Sequence, residues 1–367
     1  MVYTGRYSED LRFTLRGFEF DELKNQKILI TGATGLIGSA IIDILFFLNE
    51  QEAANIQIYA AVRNIEKARQ RFKPYIDKTY FNIIYYTATE YFQNIIYVDY
   101  IIHAASNSHP SVIGKEPVET MVSNFYGLLL LLNYAKEYGV KRIVYVSSGE
   151  IYGKKEDDTP YGEENYGYID ILNPRASYPV SKRAAETLSI SYSKEYGVDS
   201  VIVRPSHIYG PTQTEDDSRA SAQFLRSASK AEDIIMKSTG IQRRSYCHCL
   251  DCATAILTVL LKGERGQAYN IANPLSIITI KEFAEVCADV ANRKVCFNVP
   301  TESETATYNM MDNSVLLSYK LEILGWKGVW EARDGIKESI EVLRENMNYA
   351  KDGLVVKSHD SAIGIDD

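Results

Sequence analysis

Tyr178 and Lys182 are the residues whose types and spacing most clearly suggest chemistry, within the stretch NPRASYPVSKRAAETL. Residues four apart lie on one face of a helix, so the phenol and the ammonium would be neighbours. A phenol has a pKa near 10, and a nearby positive charge lowers it towards the range in which a base works. The pair therefore predicts a proton-transfer site. A structural tyrosine is the alternative, because the chain holds 27 tyrosines.

Ser148 and Glu150 precede this pair in the stretch VYVSSGEIYG, where an apolar run typical of a strand ends. If that strand and the helix with Tyr178 belong to one parallel sheet, both meet at its carboxyl edge. Ligands of α/β proteins bind at that edge. The spacing therefore indicates that Ser148 and Tyr178 converge on one ligand.

A third feature is the stretch ILITGATGLIGSAII, in which a strand leads through three spaced glycines into a helix. Gly32 would permit the tight turn, Gly35 would let a phosphate approach the backbone, and Gly38 would let the helix pack closely on the strand. The helix start then offers N–H groups and partial positive charge to a pyrophosphate. An ordinary glycine-rich turn is the alternative, and the rest of the chain decides between the two.

Further strand-like runs alternate with helical segments, which is typical of an α/β fold with a doubly wound parallel sheet. Those runs are IQIYAAVRN, VDYIIHAAS, KRIVYVSS and DSVIVRPS. The turn is then a dinucleotide site. Arg63, at the end of the second strand, favours NADP over NAD because an arginine there suits a 2′-phosphate. The alternative is a solvated surface arginine, which would indicate no preference between the two cofactors.

Composition narrows the classes of protein. With 367 residues, 46% hydrophobic content and a net charge of −8, the chain predicts a globular protein without a basic face for nucleic acid. The apolar runs are too short to span a bilayer, and the first residues lack the apolar core of a signal peptide. We therefore expect a cytoplasmic protein that binds neither membrane nor nucleic acid.

The five cysteines include three in the stretch CHCLDC, where they and His248 could suggest a metal site. A strand entering a helix with buried cysteines explains the pattern better, because a structural zinc site needs four ligands at more regular spacing. The odd number of cysteines also agrees with a reducing compartment. We expect no metal and no disulfide framework.

Taken together, the motifs resemble those of the extended short-chain dehydrogenases/reductases of the nucleotide-sugar epimerase and dehydratase type. The resemblance runs from about residue 27 to about residue 345 and includes TGATGLIG, HAAS, SSGEIYG, YPVSK, RPSHIYGP, RRSYCHCLD and MDNSVLLSYKLEILGW. It implies a Rossmann-like domain, a smaller C-terminal domain for a nucleotide-diphosphate sugar, bound NAD(P) and a homodimer.

The resemblance also implies roles for single residues. Tyr178 would be the acid/base for a sugar hydroxyl, Lys182 would lower its pKa and hold the nicotinamide ribose, and Ser148 would bond the same hydroxyl. Arg244 would grip the diphosphate of the substrate, although an arginine before a strand is ordinarily a surface charge.

The resemblance assigns further residues to cofactor or substrate binding by their positions in the matching motifs. For His103, the alternative is a histidine of the hydrophobic core. The cofactor set is Gly32, Gly35, Leu36, Ile37, Gly38, Arg63, His103, Ala104, Ala105, Ser147, Tyr178, Lys182 and Pro205; the substrate set is Ser106, Asn124, His207 and Arg244.

Two departures from the family bear on the reaction. The 4,6-dehydratases carry Asp and then Glu after the catalytic hydroxyl residue, whereas here Gly149 and Glu150 follow Ser148. Without that Asp a standard dehydration is disfavoured, and the order resembles decarboxylases of nucleotide-linked uronic acids, with epimerases also compatible. A solvated carboxylate is the alternative for Glu150. The second departure is His207, which stands where many relatives have asparagine.

The resemblance predicts oxidation of a sugar hydroxyl, most simply at C4, to a keto-sugar. Net reduction of a nucleotide-linked keto-sugar by NADPH is an alternative, and a catalytically silent scaffold is another, since a fold does not imply a function.

The expected domains divide the chain into four parts. Residues 1–26 form an extension packed on the surface, and 351–367 a loosely held tail. Residues 27–206 with 244–273 bind NAD(P), the strand around Arg244 rejoining the sheet, and 207–243 with 274–350 bind the sugar nucleotide. Arg219, within a loop expected to cover the ligand, is expected to pair with its acidic neighbours.

Overall fold

A computed structural model describes residues 5–90, 96–301, 311 and 313–360, with the backbone alone from residue 350. Its strands are β1 (Lys27–Thr31), β2 (Gln57–Val62), β3 (Phe81–Tyr85), β4 (Tyr100–His103), β5 (Arg142–Val146), β6 (Ser200–Pro205), β7 (His207–Tyr209), β8 (Ile234–Met236), β9 (Arg243–His248), β10 (Ala268–Ile271), β11 (Ile277–Thr279) and β12 (Val295–Phe297).

The helices that surround these strands begin and end as follows. They are α1 (Gly5–Thr14), α2 (Leu36–Glu52), α3 (Ile65–Arg71), α4 (Pro110–Lys115), α5 (Pro117–Tyr138), α6 (Ser177–Tyr196), α7 (Ala220–Ser229), α8 (Cys249–Lys262), α9 (Ile280–Ala291), α10 (Tyr319–Ile323) and α11 (Ala332–Asp360).

Seven strands form one parallel sheet in the order β10-β6-β5-β4-β1-β2-β3. The predicted doubly wound α/β fold is confirmed, and β3 is a strand that the sequence analysis did not identify. Alternate residues of the strands enter two cores: Ile28 and Ile30 pack with α2 and α8, and Leu29 packs with α5 and α6. Because the strand order reverses between β1 and β4, a crevice opens at their carboxyl ends.

The strand that contains Arg244 does not rejoin this sheet, so that part of the prediction is wrong. β9 instead pairs in parallel with β7 and antiparallel with β11, in a separate sheet of three strands. The chain leaves β6 after Pro205 and forms β7 two residues later, and β7 supplies the hydrogen-bond partners that β9 would otherwise seek in the main sheet. The helix α8 and the strand β10 do return to the large sheet, as expected.

The first helix is held more deeply than a surface extension would be. Tyr7 and Leu11 on α1 are fully buried, and the Tyr7 hydroxyl donates to Asp43 Oδ2 of α2 at 2.9 Å. The Tyr75 hydroxyl bonds Asp43 Oδ1 at 2.6 Å, and Arg71 bonds Oδ2 at 2.5 Å, so the buried carboxylate is fully partnered. The expectation of mere surface packing was wrong because Tyr7 and Leu11, four residues apart, give α1 one buried apolar face.

The same helix also contacts the C-terminal part of the chain. Arg6 forms an ion pair with Glu338 of α11 at 2.7 Å, and the indole N–H of Trp330 donates to Thr14 Oγ1 at 2.8 Å. Helix α11 continues to Asp360 and so includes the first ten residues of the predicted tail, whereas 361–367 lie outside the described residues.

The three cysteines of the CHCLDC stretch lie at the end of β9 and the start of α8, as the sequence predicted, and are completely buried. Burial raises the pKa of the Cys249 thiol to about 12, which keeps the thiol protonated. Across the described ranges, no three His, Cys, Asp or Glu side chains cluster as a metal site requires. Nor does any described helix combine the length and apolar character needed to cross a bilayer.

Candidate active site

A cavity of about 910 Å³ opens at the carboxyl ends of β4, β5 and β6, facing the three-stranded sheet. It brings together eleven of the predicted site residues. These are Ile37, Ala104, Ser106, Ser147, Ser148, Glu150, Tyr178, Lys182, Pro205, His207 and Arg244. Eight other predicted residues are not among those that line the cavity: Gly32, Gly35, Leu36, Gly38, Arg63, His103, Ala105 and Asn124.

Tyr178 and Lys182 occupy the first turns of α6, and both side chains are buried. The Lys182 ammonium lies 5.8 Å from the centre of the Tyr178 ring and donates to the carbonyl of Val146 at 2.8 Å. That carbonyl ends β5, so the lysine links α6 to the strand that carries Ser148. The predicted convergence of the strand end and the helix is therefore present.

The pKa values of this pair differ from the sequence expectation. Burial, and then the charge of Glu150, raises the pKa of Tyr178 to about 12, although a hydrogen bond with Ser148 opposes the rise. Burial lowers the pKa of Lys182 to about 7. In the protein alone, desolvation is thus the largest cause of both pKa shifts, and between about pH 7 and about pH 12 both groups are neutral.

Glu150 has a partner that the sequence analysis did not identify. It follows Ser148 in a short 3-10 helix, and both its oxygens accept from Nη2 of Arg175, at 3.1 and 3.0 Å. Arg175 is buried and lies three residues before Tyr178. Glu150 is therefore a partly buried carboxylate held near Tyr178 rather than a freely solvated one.

Gly149 follows Ser148 directly, and a side chain at this position would require Leu316 to shift by a few tenths of an ångström. A Cβ atom there would stand 3.1 Å from Cδ1 of Leu316 and 3.4 Å from the carbonyl oxygen of Pro205. Position 149 thus faces one apolar side chain and one backbone carbonyl. Leu316 itself lines the cavity.

The glycine turn has the geometry that a dinucleotide needs. Gly32 has φ of +66°, and a Cβ there would come within 2.6 Å of the carbonyl oxygen of Ala104. A Cβ on Gly38 would come within 2.4 Å of the Gly32 carbonyl, so this glycine permits the close packing of α2 on β1. Helix α2 begins after Gly35 without a side-chain cap, which leaves its N-terminal N–H groups for an anion.

Polar atoms behind the turn also fit a dinucleotide. In the described part of the chain, the buried hydroxyl of Ser147 and Nε2 of His103 have no hydrogen-bond partner. His103 is otherwise a core residue, because Nδ1 bonds Thr31 Oγ1 at 2.7 Å and burial lowers its pKa to about 3. The same Thr31 oxygen accepts from the N–H of Ala105 at 3.2 Å, which fixes the loop after β4. The residues present therefore fit a bound NAD(P).

Of the predicted substrate residues Ser106 and Asn124, only Ser106 lines the cavity. Ser106 Oγ donates to Asn124 Oδ1 at 2.7 Å, and Asn124 Nδ2 donates to Ser181 Oγ at 3.0 Å. Ser181 in turn donates to the carbonyl of Tyr178 at 3.0 Å. Asn124 is buried, so its visible function is to tie α5 and the loop after β4 to the start of α6.

On the opposite wall, His207 and Arg244 share one serine. Nη1 of Arg244 donates to Ser314 Oγ at 2.8 Å and to the carbonyl of Met311 at 2.9 Å, and Nε2 of His207 lies 2.9 Å from the same Ser314 oxygen. Burial, and then the charges of Arg244 and Arg219, lowers the pKa of His207 well below its ordinary value. The ring is therefore neutral at the cavity wall.

The two remaining arginines differ in setting. Arg219 is paired with the buried Asp217 at 2.5 Å, as expected, and Asp217 also contacts Nδ1 of His109 at 3.2 Å. Arg63 is exposed immediately after β2, with Nη2 at 3.5 Å from Oδ1 of Asn107. This position beside β1 is where the adenosine ribose of a dinucleotide is bound in such folds.

Sequence reasoning missed Arg175, Ser314 and Leu316. Arg175 lies in the stretch NPRASYPVSK, three residues before Tyr178, and this spacing could have indicated that the two side chains are close. Ser314 and Leu316 stood in a quoted motif, but they contact Arg244 and Gly149, which are distant in the sequence, and no local pattern reveals such contacts.

Comparison with known proteins agrees with this geometry. The model of the NAD dependent epimerase/dehydratase family matches residues 28–272. The chain is 29% identical to UDP-glucuronic acid decarboxylase 3 of Arabidopsis thaliana, over 89% of this chain and 92% of the relative. It is 27% identical to the dTDP-D-glucose 4,6-dehydratase of Mus musculus, over 89% and 91%.

Among solved structures, a dTDP-glucose 4,6-dehydratase of Streptomyces venezuelae with NAD bound has the same fold. It superposes with a TM-score of 0.76 at 22% identity, over 88% of this chain and 98% of that one.

Proposed function

This chain belongs to the NAD-dependent epimerase/dehydratase family, and we propose that it oxidises a nucleotide-diphosphate uronic acid to a keto-sugar and then removes its carboxylate. The observation that carries the second step is Glu150, held by Arg175 beside Tyr178, with Gly149 in place of an acid. The similarity to UDP-glucuronic acid decarboxylases supports the same substrate class.

The first step uses Tyr178, Ser148 and Lys182. Ser148 orients the sugar hydroxyl, most simply that at C4, and Tyr178 accepts its proton as the phenolate, the form that a positively charged cofactor would stabilise. A bound NAD would supply the hydride acceptor and donor of the reaction, and the positive charge of its oxidised form would lower the pKa of Tyr178. The glycine turn, with Ser147 and Pro205, would hold the cofactor, and Lys182 would hold its ribose.

The second step follows from the chemistry of the keto-sugar. A C4 ketone lies β to the carboxylate on C5, so the electrons of the C5–C6 bond can move into the carbonyl as carbon dioxide leaves. A proton then returns to C5. Glu150 lines the same cavity as Tyr178 and is held by its ion pair with Arg175, which supports a role in this step. Arg244, on the other wall, would bind the diphosphate.

NAD is the cofactor we propose, although Arg63 would suit the 2′-phosphate of NADP. Arg63 is exposed and makes one long contact, so its position alone supports no preference. Net reduction by NADPH and a silent scaffold stay as alternatives that the following experiment separates.

The experiment is mass spectrometry, first of the supernatant of the denatured protein and then of reactions with neutral and uronic nucleotide sugars. We expect bound NAD and loss of one carbon dioxide from a nucleotide-linked uronic acid. An isomer of unchanged mass would replace decarboxylation by epimerisation. A gain of two hydrogens with consumption of NADPH would favour the reductase, and bound cofactor without turnover across the panel would favour the scaffold.

We also propose that the protein is a homodimer in the cytoplasm, joined through α5 and α6. Five apolar residues on α5 are exposed at helical spacing, which a single surface helix rarely retains without a partner. They are Val118, Met121, Val122, Phe125 and Tyr126.

Val122→Glu should therefore shift the protein to monomer, raising the dimer dissociation constant more than about tenfold, because a charge would be buried in the interface. Light scattering across a dilution series measures this. Leu275→Glu, which adds the same charge at an exposed leucine elsewhere, is the control. An unchanged mass for V122E would contradict this interface.

A further inference from the structure

We propose that Ser314 fixes the tautomer of His207, so that the Nδ1–H of this histidine serves as a hydrogen-bond donor to an oxygen of the bound nucleoside diphosphate. The proposal rests on the proposed function for the identity of the ligand, and on the geometry for the tautomer.

The first step concerns the hydroxyl of Ser314. It is buried, and its oxygen accepts from Nη1 of Arg244, a group that can only donate. Its own proton therefore needs an acceptor. Among the described residues, the one recorded contact that can accept it is Nε2 of His207, at 2.9 Å.

The second step concerns the two neutral forms of His207. If Nε2 carried the proton, both Nε2 and Arg244 would donate to Ser314, and the buried hydroxyl proton would have no acceptor in the described part of the chain. The cost of leaving a buried donor unpaired shifts the tautomer equilibrium of His207 towards the Nδ1–H form by roughly tenfold or more. Nε2 is therefore the acceptor, and the proton resides on Nδ1.

The third step concerns what Nδ1–H can reach. His207 is partly exposed and lines the cavity together with Arg244, and no hydrogen bond to Nδ1 is recorded within the described ranges. The ring stays neutral because desolvation of its shielded part, and then the charges of Arg244 and Arg219, lower its pKa. A neutral donor next to an arginine suits a phosphoryl oxygen. Ser314 is then a positioning residue that acts through His207.

The hydrogen bond from Ser314 to His207 explains how histidine can replace an asparagine at this position. An asparagine amide always offers an N–H, whereas a neutral histidine offers one only in the correct tautomer. The serine supplies the selection that histidine requires. A His207→Asn protein should therefore have little need of Ser314.

The first measurement is nitrogen-15 NMR of histidine-labelled protein, in which His207→Asn identifies the His207 signals among five histidines. We expect the Nδ1–H pattern in the wild type and a mixture of tautomers in Ser314→Ala. An Nε2–H pattern in the wild type would overturn the proposal. This result does not depend on turnover, so it stands apart from success or failure of the proposed function.

The second measurement is a double-mutant cycle of UDP and dTDP binding by calorimetry. Ser314→Ala should weaken binding about tenfold with His207 present, and less than about twofold in the His207→Asn background. Equal losses in both backgrounds would show that Ser314 acts through Arg244 and would refute the proposal that it acts through His207.

Two further variants serve as controls. Ser314→Thr, which keeps a hydroxyl, should retain binding. Ser318→Ala removes a buried hydroxyl from the same segment, where it bonds Glu322 outside the cavity, and should leave binding unchanged. Loss of binding in S318A would mean that the segment tolerates no such change and would remove the support from S314A.

Discussion

Replacing Tyr178 with phenylalanine should lower kcat about a thousandfold, which corresponds to about 4 kcal/mol of transition-state stabilisation. The phenol hydroxyl is the group that contacts Ser148 and faces the cavity, and phenylalanine keeps the ring that packs at the start of α6. Binding of the nucleotide sugar should change less than about twofold, because the ring remains. Steady-state kinetics and calorimetry measure the two effects.

The control for this variant is Tyr192→Phe on the same helix. Its hydroxyl donates to Asn133 at 2.7 Å, and Tyr192 does not line the cavity. The control therefore removes the same group from the same helix without changing the site. A Tyr178→Phe protein with more than a tenth of the normal kcat would show that another group takes the proton.

Replacing Lys182 with methionine should lower kcat about a hundredfold and weaken retention of the cofactor. Methionine keeps the length of the buried side chain but leaves the Val146 carbonyl without its donor. The pKa of Lys182 is lowered to about 7, so its positive charge is present below that pH and lost above it. The ratio of wild-type to variant rates should therefore be largest below about pH 7 and fall as the pH rises.

A pH series of kcat for both proteins tests this, with the cofactor content of each preparation measured alongside. A ratio that stays constant on both sides of about pH 7 would show that Lys182 acts by hydrogen bonding alone. Full cofactor occupancy in the variant would separate catalysis from binding.

The sequence predicted the parts of the molecule that depend on local pattern. The strand before Gly32, the helix after Gly38 and the four-residue spacing of Tyr178 and Lys182 are set by near neighbours, and the structure has each of them. The alternation of strands and helices also sufficed for the parallel sheet.

What could not be predicted depends on distant partners. The strand with Arg244 pairs with β7 and β11, which offered hydrogen-bond partners that nothing within the strand specifies. Glu150 looked like a lone acid because Arg175 lies 25 residues away, and Ser314 lies 107 residues from His207. The rise in the pKa of Tyr178 likewise comes from burial, which spacing does not measure.

The contacts of α1 have a consequence for how the chain acquires its structure. Arg6 meets Glu338 and Thr14 meets Trp330 across separations of 332 and 316 residues. During synthesis, Arg6 and Thr14 therefore emerge long before the residues that they contact. We expect an N-terminal fragment ending before Trp330 to keep Tyr7 bonded to Asp43 of α2 but to lack the contacts that fasten α1 to the C-terminal part of the chain, so the first and last helices dock in one late event.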